Sequence, residues 1–412
     1  IVNHLYNIFI KLIDNLILPF LGLFSDKIKR FQINRISLLE KIKNEIKKQK
    51  NIVWFHAASL GEYEIAVPLI KKIKEKYSSK IILTFFSESG FKLKDRIKEI
   101  NHTFYLPLDT KSNARKFIDI LNPEMVFFVK SEIWPNYLNE IKKRNIKTYL
   151  VESSFKKNDR YFKNPTRLLF INKLKIFDKI FTIDEESKRV LNKESINNVE
   201  LTESLKIERV SEIAREKYNN TIIEKFKEEK FCIVCGSTWE KDEKIIFKYI
   251  EKSKNDNIKW IIAPHDVSKK NIQRIKRKIK LKYSIYSDIS INNVHGNILI
   301  LDTIGQLKNI YKYSDVSYVG GGMGKTGLHN ILEACIFEIP VVIGKNYQKF
   351  KESIELVNLG AVISIKNQLE FDSEFDKLIK NEEYRFNKIN KTKKYFKGKT
   401  GATNRIIKNL TL

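Results

Sequence analysis

Short apolar, β-rich runs alternate with helical patterns along most of this chain, and the alternation starts twice. The first series, from Asn51 to about Ser204, sets strands at Ile52–Phe55, Ile81–Phe86, Phe104–Leu106, Met125–Val129, Thr148–Val151 and Lys179–Ile183. Helical stretches such as Glu64–Lys76 and Asn113–Leu121 lie between them. From about Glu224 the pattern restarts, with strands at Phe231–Cys235, Ile258–Ala263, Ile298–Leu301, Asp315–Val319, Val341–Ile343 and Val362–Ile363. Such alternation builds a parallel, doubly wound sheet with helices on both faces. The expected fold is therefore α/β with two Rossmann-like domains, and 412 residues suffice for two cores. The expected boundaries are an apolar helix and basic linker over 1–35, domains over 36–208 and 209–395, and a tail over 396–412 able to pack back on the first domain. Ligands of such sheets bind beyond the carboxyl ends of the strands, which makes the cleft between two facing domains the expected site.

The amino end reads differently. Residues 5–24 are strongly apolar, yet Asn7, Lys11 and Asp14 share one narrow helical face. A helix over Ile1–Phe24 would measure roughly 36 Å, enough for a bilayer. The polar stripe favours a helix lying in the membrane interface, followed by the basic cluster Lys27, Lys29, Arg30 and Arg35. The competing reading is an amphipathic helix packed on its own domain. A cleavable signal peptide is disfavoured, because no basic start or small-residue cleavage site is present. The net charge of +28 points to an anionic partner, with part of it reflecting a Lys-, Ile- and Asn-rich background. No zinc-finger, RRM or basic-helix pattern favours nucleic acid. Cys232 and Cys235 sit inside the apolar run FCIVCG and read as core thiols.

Four strand ends carry the chemistry. His56–Glu64 (HAASLGEYE) follows the first strand; Glu62 at its helix start is either a cap or a general base. Lys130–Asn136 (KSEIWPN) supplies a second carboxylate, Glu132, and Trp134, which either packs in the core or walls a ligand. Gly236-Ser237-Thr238-Trp239 follows Phe231–Cys235; Ser237 and Thr238 read as caps or as phosphate or carboxylate ligands. His265 closes Ile258–Ala263 and is a ligand candidate. The glycine-rich stretch after Asp315–Val319 includes Gly321, Gly322 and Gly324 and leads into a helix expected from Leu328, with Asn330 and Glu333 on one face. It lacks the Walker A and G-x-G-x-x-G spacings. A loop that takes a phosphate above a carboxylate that grips a ribose diol reads as a nucleotide-sugar site.

Taken in order, HAASLGE, SEIWPN, GSTWEKDE and GGGMGKTGLHNILEA resemble the Kdo (3-deoxy-D-manno-octulosonate) transferases of lipopolysaccharide synthesis. The resemblance runs over nearly the whole chain. It implies a GT-B glycosyltransferase fold with an N-terminal acceptor domain and a C-terminal donor domain. The implied reaction moves Kdo from CMP-Kdo to the tetraacyl lipid A precursor (lipid IVA), inverting the anomeric centre, with no metal and no other cofactor. The implied place is the cytoplasmic side of the cell inner membrane, with no nucleic-acid partner. Glu62 takes the role of catalytic base, with Glu132 as the carboxylate next in line. Glu333 is implied to bind the CMP ribose, Asn330 and the glycine backbone to lie near the phosphate, and Ser237 and Thr238 to belong to the donor site. Lys206 and His265 complete the substrate-binding set. Three departures stand out. Lys130 replaces a common glutamate, His265 an arginine, and Thr202-Glu203-Ser204-Leu205-Lys206 keeps a lysine but loses a glycine.

Two other classes fit part of the pattern. A nucleotide-sugar 2-epimerase would share the nucleotide loop but needs no apolar helix. A non-enzymatic basic protein binding membrane or nucleic acid would leave Glu62 and Glu333 without a purpose.

Overall fold

The computed structural model describes residues 2–47, 49–91, 99–253, 255–290, 293 and 295–410. The chain forms two compact units, Ile1–Arg209 with Thr400–Leu412, and Val210–Lys399.

The first unit holds β1 (Ile52–His56), β2 (Lys80–Phe85), β3 (His102–Tyr105), β4 (Met125–Val129), β5 (Lys147–Ser153), β6 (Lys179–Thr182) and β7 (Val199–Leu201). They make one seven-stranded sheet in the order β3-β2-β1-β4-β5-β6-β7. Each pairing is parallel. Successive residues serve opposite faces: Trp54, Phe128 and Leu150 join one core cluster, Val53, Phe55, Phe127 and Tyr149 the other. Both faces are covered, which is why these strands read as unbroken apolar runs. The terminal helix Ala402–Lys408 belongs to this unit and adds Ala402 and Ile406 to the second cluster.

The second unit repeats the plan with β8 (Phe231–Thr238), β9 (Ile258–Pro264), β10 (Tyr283–Ile285), β11 (Ile298–Ile300), β12 (Val316–Val319), β13 (Val341–Gly344) and β14 (Val362–Ile365). Its seven-stranded order is β10-β11-β9-β8-β12-β13-β14. Strand order reverses between β1 and β4 in the first unit and between β8 and β12 in the second. Connections leave those neighbouring carboxyl ends in opposite directions and open a crevice there. HAASLGE and KSEIWPN occupy the first switch point, GSTW and the glycine loop the second. The buried thiols Cys232 and Cys235 lie within β8, and burial pushes Cys232 up to about 12.

Two features differ from the sequence reading. The short strands β7 and β10 were not expected; each is three residues long at a sheet edge, too short to show a period. The helix after the glycine loop covers only Leu332–Cys335 rather than starting at Leu328. His329 and Asn330 therefore stand in irregular backbone ahead of it.

A helix spans Val2–Gly22, with a π-helical segment at Ile13–Ile17, and by length and composition it could cross a membrane. Of its polar stripe, Asn7 is buried and Asp14 half-buried against the unit, while Lys11 is exposed. The apolar face points outward, with Leu5, Ile8, Phe9, Leu12, Leu16 and Phe20 all exposed, and Leu23 and Phe24 continue it at 78% and 76% exposure. Packing the apolar face onto the protein is thus ruled out by the observed orientation. Burying one such side chain is worth about 1.5–3 kcal/mol, so a whole row left in water calls for a covering apolar phase.

Candidate active site

At the first switch point, β1 ends in His56 and the helix Leu60–Tyr77 begins, with Ser59 as its N-cap. Glu62 lies in the first turn and its Oε2 accepts a short hydrogen bond from Ala58 N–H. The capping role is real, but it uses one oxygen. Burial raises the Glu62 carboxyl above its ordinary range, and the neighbouring Glu132 raises it further, against the pull of Lys130, Ala58 N–H and His56.

Glu132 follows β4. Burial pushes it up, but His56, the Trp134 indole and Arg160 outweigh that and hold it below the usual carboxylate range. Trp134 Nε1–H donates to Glu132 Oε2 at 2.9 Å, so Trp134 orients a carboxylate as well as packing against Phe86. His56 is fully buried, with Nε2 3.6 Å from the same Glu132 oxygen. Of these two neighbouring carboxylates one is raised and one lowered, so they differ in how readily each takes a proton. His56 stands inside the HAASLGE motif, yet nothing in the sequence pairs it with Glu132. Lys130 enters this loop with φ +64°, a backbone state sparse for a side-chain-bearing residue.

At the second switch point, Asp242 is fully buried and organises the loops. Its carboxylate accepts from Trp239 N–H and Gly321 N–H at 2.9 Å each, from Tyr318 Oη at 2.7 Å and from Met323 N–H at 3.4 Å. The loop amides at 321 and 323 thus face a protein carboxylate, which corrects the expectation that they are free for an anion. The glycines serve packing. Gly321 adopts φ +92°, and a Cβ at Gly322 would stand 2.9 Å from the Gly344 backbone. Gly324 is buried but meets no such constraint.

Ser237 is half-buried, with φ +51°. Thr238 is buried and its hydroxyl faces Glu243 at 3.5 Å, so it positions the loop rather than presenting a hydroxyl. Trp239, His265 and His329 form a stack, with ring centroids 4.6 Å apart for Trp239–His265 and 4.3 Å for His265–His329. Trp239 Nε1–H donates to His329 Nε2 at 3.1 Å, which requires a neutral imidazole. Burial and His265 press His329 down to about 4, and burial lowers His265 as well. Asn330 Nδ2 donates to Glu333 Oε1 at 3.0 Å, while Asn330 Oδ1 caps Leu332 N–H. Ser237, His265, the glycines, Asn330 and Glu333 all belong to the second unit. Lys206 lies in the first, in the opening turn of the helix Leu205–Arg215.

Residues 32–209 match the family model described as 3-deoxy-D-manno-octulosonic-acid transferase (kdotransferase). The chain is 24% identical over 383 residues to the 3-deoxy-D-manno-octulosonic acid transferase of Haemophilus influenzae, covering 90% of this chain and 88% of that one. Over this segment, and against these relatives, the chain resembles the Kdo transferases. It is 26% identical over 349 residues to the Aquifex aeolicus transferase, covering 82% and 88%. A bifunctional glycosyltransferase/methyltransferase of Fusobacterium nucleatum is 27% identical over 389 residues, a match that covers 89% of this chain but only 58% of that protein. Among solved structures, UDP-GlcNAc 2-epimerase from Neisseria meningitidis bound to UDP-GlcNAc superposes with a TM-score of 0.60 at 16% identity, covering 87% and 98% of the two chains. That likeness is one of fold, and the architecture is GT-B-like α/β. The chain is an enzyme of the glycosyltransferase class.

Proposed function

We propose that this enzyme transfers Kdo from CMP-Kdo to the lipid A precursor, lipid IVA, with inversion and without a metal, on the cytoplasmic face of the inner membrane. The observation that carries the reading is the Glu62–Glu132 pair at the switch point of the family-matching segment. A sugar hydroxyl is too weak an acid to attack unaided, so a carboxylate must take its proton as the bond to Kdo forms. Glu62 is suited to this: it is raised toward neutrality, and its Oε1 has no hydrogen bond among the described residues. Glu132, held ionised, keeps the local field negative and so makes Glu62 more willing to accept the proton.

The second unit supplies the donor site. Glu333, steadied by Asn330, offers carboxylate oxygens to the ribose diol. Ser237 and the backbone amides of Gly322 and Gly324, which unlike those of 321 and 323 do not face Asp242, meet the phosphate that departs with CMP. The neutral Trp239–His265–His329 stack offers π faces rather than charge, so His265 does not stand in for an arginine as an ion-pair partner. The outward apolar face of Val2–Gly22 and the basic residues after it suit an acceptor that resides in an anionic leaflet.

The test is transfer itself: purified full chain, CMP-Kdo and tetraacyl lipid A precursor, read by mass spectrometry with EDTA present. A product heavier by Kdo supports the reading. Binding of CMP with no product would keep the donor site and overturn the acceptor.

A further inference from the structure

The amino-terminal segment, comprising the outward-facing helix Val2–Gly22 and the stretch after it up to Arg35, is tied to the Glu132 loop by two separate lines of contact. The first runs through Asp109, a fully buried carboxylate just beyond the carboxyl end of β3. Its Oδ2 accepts from the Tyr6 hydroxyl at 2.7 Å. The same carboxylate accepts from Asn136 N–H at 3.1 Å and Tyr137 N–H at 3.0 Å. Those amides open the helix Pro135–Lys143, whose N-cap residue, Trp134, supplies no side-chain cap of its own. A helix start has unpaired N–H groups, and here a distant carboxylate satisfies them. Trp134 is therefore fixed from behind, and its indole fixes Glu132.

The second line starts at Arg35. Its guanidinium donates to the Phe86 carbonyl at 2.9 Å and the Leu106 carbonyl at 3.0 Å, and it lies 3.6 Å over the Phe31 ring. Phe86 in turn packs on Trp134 with centroids 5.0 Å apart. Both lines end on the one indole that holds Glu132.

We propose that Tyr6 and Arg35 are positioning residues for the Glu132 carboxylate, so that the amino-terminal segment sets the geometry of the reaction as well as the address of the enzyme. The inference rests on the reading that Glu132 takes part in transfer. A displaced Tyr6 leaves Asp109 with one donor fewer and frees the start of the Pro135 helix; Trp134 then no longer holds Glu132 beside Glu62. Displacement by about 1 Å at a reacting centre costs up to about a hundredfold in rate.

The test is Tyr6→Phe in the full chain, which removes one hydroxyl and leaves the apolar face intact. Turnover is measured with detergent-dispersed lipid A precursor, and attachment by flotation with anionic vesicles. The expected result is a kcat lower by about tenfold or more, KM for CMP-Kdo within about twofold, unchanged flotation and an altered acid limb of kcat. An unchanged kcat, or a loss confined to flotation or acceptor KM, overturns the proposal. Arg35→Lys, which keeps the charge but not the forked reach, gives the same readout through the second line should Tyr6→Phe not fold. Glu132→Gln is run alongside. If it turns over normally, the reading of Glu132 has failed; if it is impaired while Tyr6→Phe and Arg35→Lys are not, the coupling alone has failed.

Discussion

His56 Nε2 lies 3.6 Å from Glu132 Oε2, on the oxygen that the Trp134 indole also approaches. The other ring nitrogen, Nδ1, is 2.9 Å from Thr84 Oγ1, which already accepts from Trp54 Nε1–H at 2.8 Å. With that hydroxyl donating onward to Nδ1, the ring proton sits on Nε2 and faces the carboxylate. The buried imidazole thus faces the carboxylate at ion-pair rather than hydrogen-bond distance.

His56→Gln tests that contact. The ring lowers both carboxylates, so its loss raises both. The expected outcome is an acid limb of kcat displaced to higher pH, with a kcat loss at neutral pH of about tenfold. A pH–rate profile of the folded variant that overlays the wild type would remove His56 from the account.

The wild type carries its own pH signature. A base must be ionised to work, and Glu62 is raised above the ordinary carboxylate range. Activity is therefore full above that raised value and lost as pH falls through it. The acid limb of kcat should lie above that of a free glutamate, and Glu132→Gln, which removes the repelling charge, should shift it downward. A limb at the ordinary carboxylate position would contradict the pairing.

The carboxylate pair and the glycine loop were legible because parallel strands buried on both faces announce themselves as apolar runs, and whatever follows them lies at a sheet's carboxyl edge. The partners were not legible. Tyr6 meets Asp109 only through the packing of its helix on the unit, and His56 meets Glu132 only through the pairing of β1 with β4, neither of which a local pattern encodes. Asp242 shares the first turn of its helix with Glu240 and Glu243, and only the fold singles it out to accept from the glycine loop. Helical spacing placed Asn330 and Glu333 on one face; the structure instead joins them by a hydrogen bond across the start of a short helix. The polar stripe at Asn7 and Asp14 was visible, but its inward orientation follows from the polar anchor at Asp109.

Asp242→Ala removes the acceptor of Trp239 N–H, Gly321 N–H and the Tyr318 hydroxyl. Each stranded buried donor costs about 1–3 kcal/mol. The expected outcome is a lower thermal midpoint and a CMP affinity weakened by about tenfold or more in calorimetry, since 1.4 kcal/mol is a factor of ten. Undiminished CMP binding would separate the glycine loop from the donor site.

The apolar face should matter for attachment. Leu16 and Phe20 are 62% and 61% exposed. Leu16→Glu with Phe20→Glu is expected to weaken flotation with phosphatidylglycerol-containing vesicles by about tenfold or more, since each side chain contributes about 1.5–3 kcal/mol on burial. Flotation equal to the wild type would place the membrane contact elsewhere.

The most direct test of the central claim is Glu62→Gln, measured in parallel for CMP binding and for transfer to the tetraacyl lipid A precursor. The account predicts wild-type CMP affinity, an unchanged fold and turnover lower by about 10²- to 10⁴-fold, the usual contribution of a general base. Near-normal turnover in a variant that folds and binds CMP would contradict it, and would move the proton to Glu132.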